Sequence, residues 1–207
     1  MSSKQRLDVL MFERGLAPSR EKARAHVMAG EVIVNGVVVD KPGMPVKSDV
    51  EIVLKNKPRF VSRGGEKLKW ALDTFQIDVT GRNCADVGAS TGGFTDCLLQ
   101  YGAGHIYAID VGYGQIAYDL RQNSNVTVLE RTNARNLTKL PIPISLVTVD
   151  ASFISLKLLL PAIRNWLTPQ ADVVSLIKPQ FEAGRNDVGK GGVVRDPEVH
   201  RRVIIDI

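Results

Sequence analysis

The sequence predicts an α/β fold in which a parallel sheet is covered by helices on both faces, preceded by a small α+β domain. Three observations carry this expectation. From residue 68 onward, short near-continuous apolar runs alternate with helical stretches, the pattern of strands buried on both faces. Residues 5–55 read differently, as two short helices followed by β-branched runs. Between the two lies KNKPRFVSR, basic and carrying a proline, which suits a linker. The boundary is therefore placed near residue 60, giving domains 1–59 and 60–207.

In the first domain, Leu7, Leu10 and Met11 recur at helical spacing and Gly15 is a natural stop. Ser19 is placed to cap a second helix, with Glu21 in its first turn, running through EKARAHVMA to Gly30. Asn35-Gly36 sits between two valine-rich runs, a hairpin signal because both central residues of a type I′ turn need positive φ. Pro42, Gly43 and Pro45 mark a loop, and VEIVL (50–54) reads as a closing strand. In the second domain, strands are expected at residues 83–88, 105–110, 126–130, 145–150 and 172–178, with helices between them.

Charge is distributed unevenly. Residues 1–69 hold 14 Lys and Arg against 8 Asp and Glu, a net +6, whereas residues 70–207 carry a net −1. The whole positive excess of a chain with pI near 9.3 therefore lies in the first third, which points to a polyanionic partner bound there. No apolar run approaches the ~20 residues of a membrane span, and MSSKQRLDVL lacks the core of a secretory signal; the expected location is cytoplasmic, without membrane association. Cys84 and Cys97 sit in apolar patterns, and the three histidines are scattered, so core thiols and no metal site are expected.

The strand over residues 83–88 runs into DVGASTGGFTD, and a helix follows. Glycines at this junction permit a tight turn and close approach of a ligand to the backbone, and helix N-terminal amides then face that ligand. Asp110 closes the next strand, where a carboxylate can accept hydrogen bonds from both ribose hydroxyls of a nucleoside cofactor. The spacing G-x-x-x-G-G departs from the dinucleotide pattern G-x-G-x-x-G. Asp86, two residues before the first glycine, would repel a pyrophosphate but suits an ammonium group. S-adenosylmethionine is thus the expected cofactor, held by Asp86, Gly88, Ser90, Gly92, Gly93, Phe94 and Asp110.

A further set of charged residues is expected at the same sheet edge. Asp150 ends SLVTVD, Lys178 ends DVVSLIK, and Lys67 precedes the first helix of the second domain in SRGGEKLKWAL. Ligands of open α/β sheets bind at the carboxyl ends of strands. Lys178, its pKa lowered by burial or by Lys67, would accept a proton from the acceptor group or orient that group, with Asp150 holding Lys178. Most of the rate gain would come from bringing two reactants together, a term reaching roughly 7–11 kcal/mol. No metal is required.

Two resemblances sharpen these expectations. RLD near the start, S-R-x-x-A before the second helix, and the V-x-V-N-G hairpin with its closing strand resemble the α-L RNA-binding domain, found in the fourth small-subunit ribosomal protein and in pseudouridine synthases. This resemblance implies binding of structured RNA through Arg20, Lys22 and Arg24 with the adjoining hairpin; Arg6, Lys57, Arg59 and Arg63 are assigned to the same RNA-binding set. SRGGEKL, DVGASTGGFTD, AIDVG, TVDASF and IKPQFEAG, in that order, resemble the TlyA family of hemolysin-like ribosomal RNA 2′-O-methyltransferases. Their catalytic part is similar to the FtsJ class, a Rossmann-like class I methyltransferase domain with a Lys-Asp-Lys-Glu tetrad. The match implies Lys67, Asp150 and Lys178 as the first three members, Asn133 and Ala134 in the adenine-side segment, and ribosomal RNA or ribosomal subunits as partner, with cytidine as target.

The tetrad's Glu has no counterpart among Glu182 and Glu198, and the chain is expected to stop short of the family's last strands. Three rival readings follow. An RNA-binding protein with an inactive methyltransferase-like domain is the main alternative. A pore former would need a membrane-active segment that the sequence does not offer. A methyltransferase acting on a base or protein is disfavoured by the two lysines flanking Asp150, which suit a hydroxyl over an amine, and a base-methylating site would more often show N/D-P-P-Y where DASF stands.

Overall fold

A computed structural model of the chain describes residues 4–55 and 59–207. The chain divides into two compact units, Met1–Pro58 and Arg59–Ile207, each described here by itself.

The first unit contains β1 (Lys4–Arg6), α1 (Leu7–Glu13), α2 (Arg20–Met28), β2 (Val32–Val34), β3 (Val37–Val39), β4 (Pro45–Lys47) and β5 (Ile52–Leu54). The Ser19 hydroxyl accepts the Lys22 amide at 3.2 Å and starts α2. Asn35 and Gly36 take φ of 47° and 81°, closing the hairpin in which Val34 faces Val37. Strand β2 is central, flanked antiparallel by β3 and β5. Leu7, Leu10, Met11, Ala23 and Val27 from the helices pack on Val32, Val34 and Val39. Two elements were not expected: β1 and β4 pair antiparallel, Gln5 opposite Val46. The stretch taken as loop through Pro45 thus becomes an edge strand, which tolerates proline at its first position because no partner needs that N–H.

The second unit contains α3 (Gly64–Phe75), β6 (Asn83–Val87), α4 (Gly93–Gln100), β7 (His105–Ile109), α5 (Tyr118–Arg121), β8 (Val126–Leu129), β9 (Ile144–Val149), α6 (Leu156–Arg164), β10 (Leu167–Ser175), α7 (Pro179–Glu182) and α8 (Pro197–Asp206), with short 3-10 turns at Ala134–Asn136 and Arg185–Asp187. The sheet order is β10-β9-β6-β7-β8, every neighbour parallel. Strand alternation sends Ala85, Val87, Tyr107, Ile109, Val147 and Val149 to one face, against Leu156, Leu159, Ile163 and Trp166. Cys84, Ile106 and Leu146 go to the other face, against Leu68, Leu72, Phe94 and Leu98. Both cysteines are free and buried; burial pushes each thiol up to about 12.

Two boundaries differ from the sequence expectation. Strand β10 begins at Leu167, five residues early, but its register slips between Leu167 and Asp172, where Pro169 cannot donate to the ladder. It also ends at Ser175, so Lys178 lies beyond the strand, as the N-cap of α7. The order of connections reverses between β6 and β9, and this is the crevice where an open α/β sheet receives ligands.

Candidate active site

The site is built from loops that leave the carboxyl ends of β6, β7, β9 and β10. After β6, Gly88 adopts φ +86°. A Cβ there would stand 2.8 Å from the Asp150 carbonyl oxygen and 3.0 Å from Ala151 Cα, so the two strand ends touch backbone to backbone only because this position has no side chain. Gly92, at φ +95°, starts α4, and a Cβ there would meet Leu120 Cδ1 at 2.3 Å. The Asp110 carboxylate accepts the Ser90 amide at 2.8 Å and the Gly112 amide at 2.7 Å, which ties the loop after β6 to the tip of β7.

Two cavities open at this edge. The first, about 550 Å³, is lined by Gly88, Ser90, Asp110, Asn133 and Ala134, with apolar walls from Ile109, Val111, Ile154 and Leu159. The second, about 740 Å³, is lined by Arg63, Lys67, Gly93, Phe94 and Lys178 among others. Gly88, Ser90, Asp150 and Ser152 border both. Asp150 thus stands at the partition, and each of its carboxylate oxygens faces a lysine: Lys178 Nζ lies 2.5 Å from Oδ1 and Lys67 Nζ 3.5 Å from Oδ2. Lys178 also donates to the Ser152 hydroxyl at 3.0 Å and to the Asp150 carbonyl at 3.3 Å. The Lys178 and Asp150 side chains are mostly buried, at 17% and 20% exposure, while Lys67 is half exposed at 52%. Three cations against one carboxylate, together with the N-terminal ends of α3 and α4, make the second cavity attractive to a phosphate-bearing ligand.

The structure brings Lys67, Asp150 and Lys178 together, and gathers Gly88, Ser90, Asp110, Asn133 and Ala134 around the first cavity. Other expected cofactor residues fall elsewhere. Asp86 borders neither cavity. Alternation along β6 turns its fully buried side chain toward α4, where it accepts the hydroxyls of Thr95 at 2.7 Å and Thr148 at 3.3 Å. Burial pushes this carboxyl up to about 6 against the opposing effect of those hydroxyls. The expected contact to a cofactor ammonium is thereby corrected: the group is a buried brace between strand and helix. Gly92 serves the turn and lines neither cavity, while Gly93 and Phe94 face the lysine-bearing one.

Of the residues assigned to RNA, Arg20, Lys22 and Arg24 share one exposed helix, α2. Arg6 and Arg20 each give part of their guanidinium to the fully buried Asp8, at 2.9 Å and 3.3 Å, and the Arg6 hydrogen bonds hold that carboxyl below its usual range. Arg59 lies over the Phe60 and Tyr101 rings. Arg63 lines the second cavity. Lys57 lies outside the described residues. Sequence reasoning missed Ser152, whose signal was its place two residues after Asp150. It also missed Phe153, which is 91% exposed at φ +63° and packs on Phe181. Among the described residues no group of three or more His, Cys, Asp or Glu is placed to hold a metal, and no helix is long and apolar enough to cross a membrane.

Fold and site together define a Rossmann-like α/β domain with paired ligand cavities at its switch point, joined to a small α+β domain. Residues 60–207 match the FtsJ-like methyltransferase family, and the chain belongs to it; residues 5–52 match the S4 domain. A candidate rRNA methyltransferase of Bacillus subtilis (strain 168), YqxC, is 52% identical over 207 residues, covering 98% of this chain and 74% of the relative. The 16S/23S rRNA (cytidine-2'-O)-methyltransferase TlyA of Mycobacterium tuberculosis (strain ATCC 25618 / H37Rv) is 46% identical, covering 100% of this chain and 79% of its own. Among solved structures, a candidate hemolysin from Streptococcus thermophilus is 44% identical with a TM-score of 0.72, over 100% of this chain and 77% of that one.

Proposed function

We propose that the chain transfers a methyl group from S-adenosylmethionine to a ribose 2′-hydroxyl of ribosomal RNA, with cytidine as the target nucleotide. The observation that carries this reading is Asp150, set between two adjoining cavities with a lysine on each carboxylate oxygen. One cavity fits a nucleoside cofactor and the other a phosphate-bearing acceptor, so the two reactants meet at Asp150. Membership of the FtsJ-like family supports methyl transfer, the TlyA relative supports the rRNA ribose as acceptor, and the S4 match supports RNA binding by the first unit. A ribosomal substrate implies a cytoplasmic location.

The first cavity fits S-adenosylmethionine in volume and donor set. Its size lies within the roughly 300–1,000 Å³ of small-molecule sites. Asp110 supplies a carboxylate for ribose hydroxyls, the apolar walls suit a purine, and Gly88 offers the bare backbone on which a ligand can lie close. Asn133 and Ala134 border the purine end. Bound there, the cofactor supplies a sulfonium-activated methyl group. The chain's own residues do the rest. Lys178, fixed by Asp150 and Ser152, orients the 2′-hydroxyl through its ammonium, and the hydroxyl proton is released to solvent as the methyl group is transferred. Asp150 fixes both lysines, and Lys67 with Arg63 holds the flanking phosphate. Lys178→Ala is expected to abolish transfer while leaving cofactor affinity largely intact.

The direct test of the cofactor site is calorimetric titration of the purified chain with S-adenosylmethionine, with NAD as control. Saturable binding of the first, no binding of the second, and loss of binding in Asp110→Ala are expected. An Asp110→Ala variant that binds as tightly as wild type would remove the cavity from the reading.

A further inference from the structure

Asp150 and Lys178 stand on segments that leave the neighbouring parallel strands β9 and β10 and run side by side. Their side-chain contacts form an ordered series. At one end, Lys178 meets Asp150 at 2.5 Å and donates to Ser152 at 3.0 Å. Next, the Phe181 ring packs on Phe153 with centroids 5.1 Å apart. At the far end, the Glu182 carboxylate accepts the Ser155 hydroxyl at 2.6 Å and the Leu156 amide at 2.8 Å. Ser155 in turn accepts the Lys157 amide at 3.1 Å, so one carboxylate and one hydroxyl jointly cap the start of the nine-residue helix α6.

Neither partner of this series can hold its shape alone. Helix α7 has four residues and no fully buried one, far below the length at which a helix sustains itself. Its flanking residues Ile177 and Ala183 pack beneath Val194, Val199 and Val203, which anchors its back but not the face turned to Asp150. The opposing turn carries Phe153 at φ +63°, a conformation that a bulky side chain keeps only when its surroundings impose it. Glu182 joins the two by charge-assisted hydrogen bonds at a helix N-terminus, where a carboxylate is favoured.

We propose that Glu182 is a positioning residue for methyl transfer: by locking the end of α7 to the start of α6, it holds the N-cap residue Lys178 in line with Asp150. The proposal rests on the methyl-transfer reading for the reaction, and on these contacts for the role.

The test measures methyl transfer to ribosomal RNA by the full chain, with kcat expressed per cofactor-binding site counted by calorimetry. Glu182→Ala is expected to lower kcat per site on the order of 10- to 100-fold, the scale on which a small misplacement of a reacting group acts. Affinity for S-adenosylmethionine should change by less than about threefold, since Glu182 does not line the cofactor cavity. Glu182→Gln keeps an oxygen for the Leu156 amide and can donate its NH2 to the Ser155 hydroxyl, so it preserves both links and should recover most of kcat, whereas Glu182→Asp, one methylene shorter, should not. Ser155→Ala combined with Glu182→Ala should lose little more than either alone. A purely structural role would lower the number of competent sites and leave kcat per site unchanged. If Glu182→Ala fails to fold, the Gln and Asp variants carry the comparison. An active wild type whose Glu182→Ala, or whose Glu182→Asp, keeps kcat per site within twofold overturns the role alone. A wild type that binds cofactor and transfers nothing overturns the reaction and this role with it.

Discussion

Substituting Gly88 by alanine probes the contact on which the site is built. Two costs arise. A non-glycine residue in the left-handed region costs roughly 1–2 kcal/mol. The new Cβ would also sit 2.8 Å from the Asp150 carbonyl oxygen and 2.9 Å from its carbon, both backbone atoms of the strand end, and forcing extra volume into such a place typically costs about 1–3 kcal/mol. The sum is about 2–5 kcal/mol, which for a unit of this size corresponds to a fall in melting temperature of roughly 5–15 °C. Gly114→Ala is the matched control: its φ is +70° but nothing lies within 4 Å of the new Cβ, so it bears the conformational cost alone. Thermal unfolding by circular dichroism and calorimetric titration with S-adenosylmethionine would be run on both. Gly88→Ala should melt several degrees below Gly114→Ala and lose about tenfold or more in cofactor affinity, as the ends of β6 and β9 move apart. Equal melting temperatures and equal affinities would refute the claim that the two strand ends are held in backbone contact.

Asp86 and Arg24 give further tests. The Asp86 carboxyl titrates at about 6 in the folded chain and near 3.9 when unfolded. The folded form therefore keeps a proton that the unfolded form releases, and this group's contribution falls as pH rises through the window from about 4 to about 6, by about 3 kcal/mol in all. Asp86→Asn carries no such proton, so the stability of wild type relative to the variant should decline across that window and level off above it; a difference independent of pH in denaturant unfolding contradicts the buried, destabilised carboxylate. Arg24 lies exposed on α2. Arg24→Ala should weaken RNA binding across sequences and reduce the slope of log affinity against log salt by about one; an unchanged slope removes it from the phosphate contacts.

Much of this site was legible in the sequence because its parts lie at strand ends, where period and punctuation coincide. Gly88, Asp110 and Asp150 each close or follow an apolar run, and the parallel order of those runs brings their tips to one edge. The hairpin at Asn35-Gly36 was equally legible, since only a turn with two positive φ values connects such runs in two residues. What could not be read depended on the third dimension. Asp86 obeys the same strand-end logic as Asp110, yet it lies one residue before the last of β6, on the face covered by α4, and so is sealed beneath Thr95. Lys178 was expected at a strand end, but β10 stops three residues earlier and the lysine reaches Asp150 from the cap of a short helix. Glu182 was set aside because it matched no motif; its partners, Ser155 and Leu156, are 27 and 26 residues away in sequence, a distance across which no local pattern speaks. Asp8 carries no local signal of its role, yet it is the buried acceptor of two arginines.

The central claim is that the acceptor is a ribose 2′-hydroxyl, activated at Lys178 beside Asp150. It is tested most directly by incubating the chain with ribosomal RNA and methyl-labelled S-adenosylmethionine, digesting the RNA to nucleosides, and identifying the labelled product by mass spectrometry. The account predicts label in 2′-O-methylcytidine with wild type and none with Lys178→Ala. Label on a base, or 2′-O-methylation undiminished in Lys178→Ala, would contradict it.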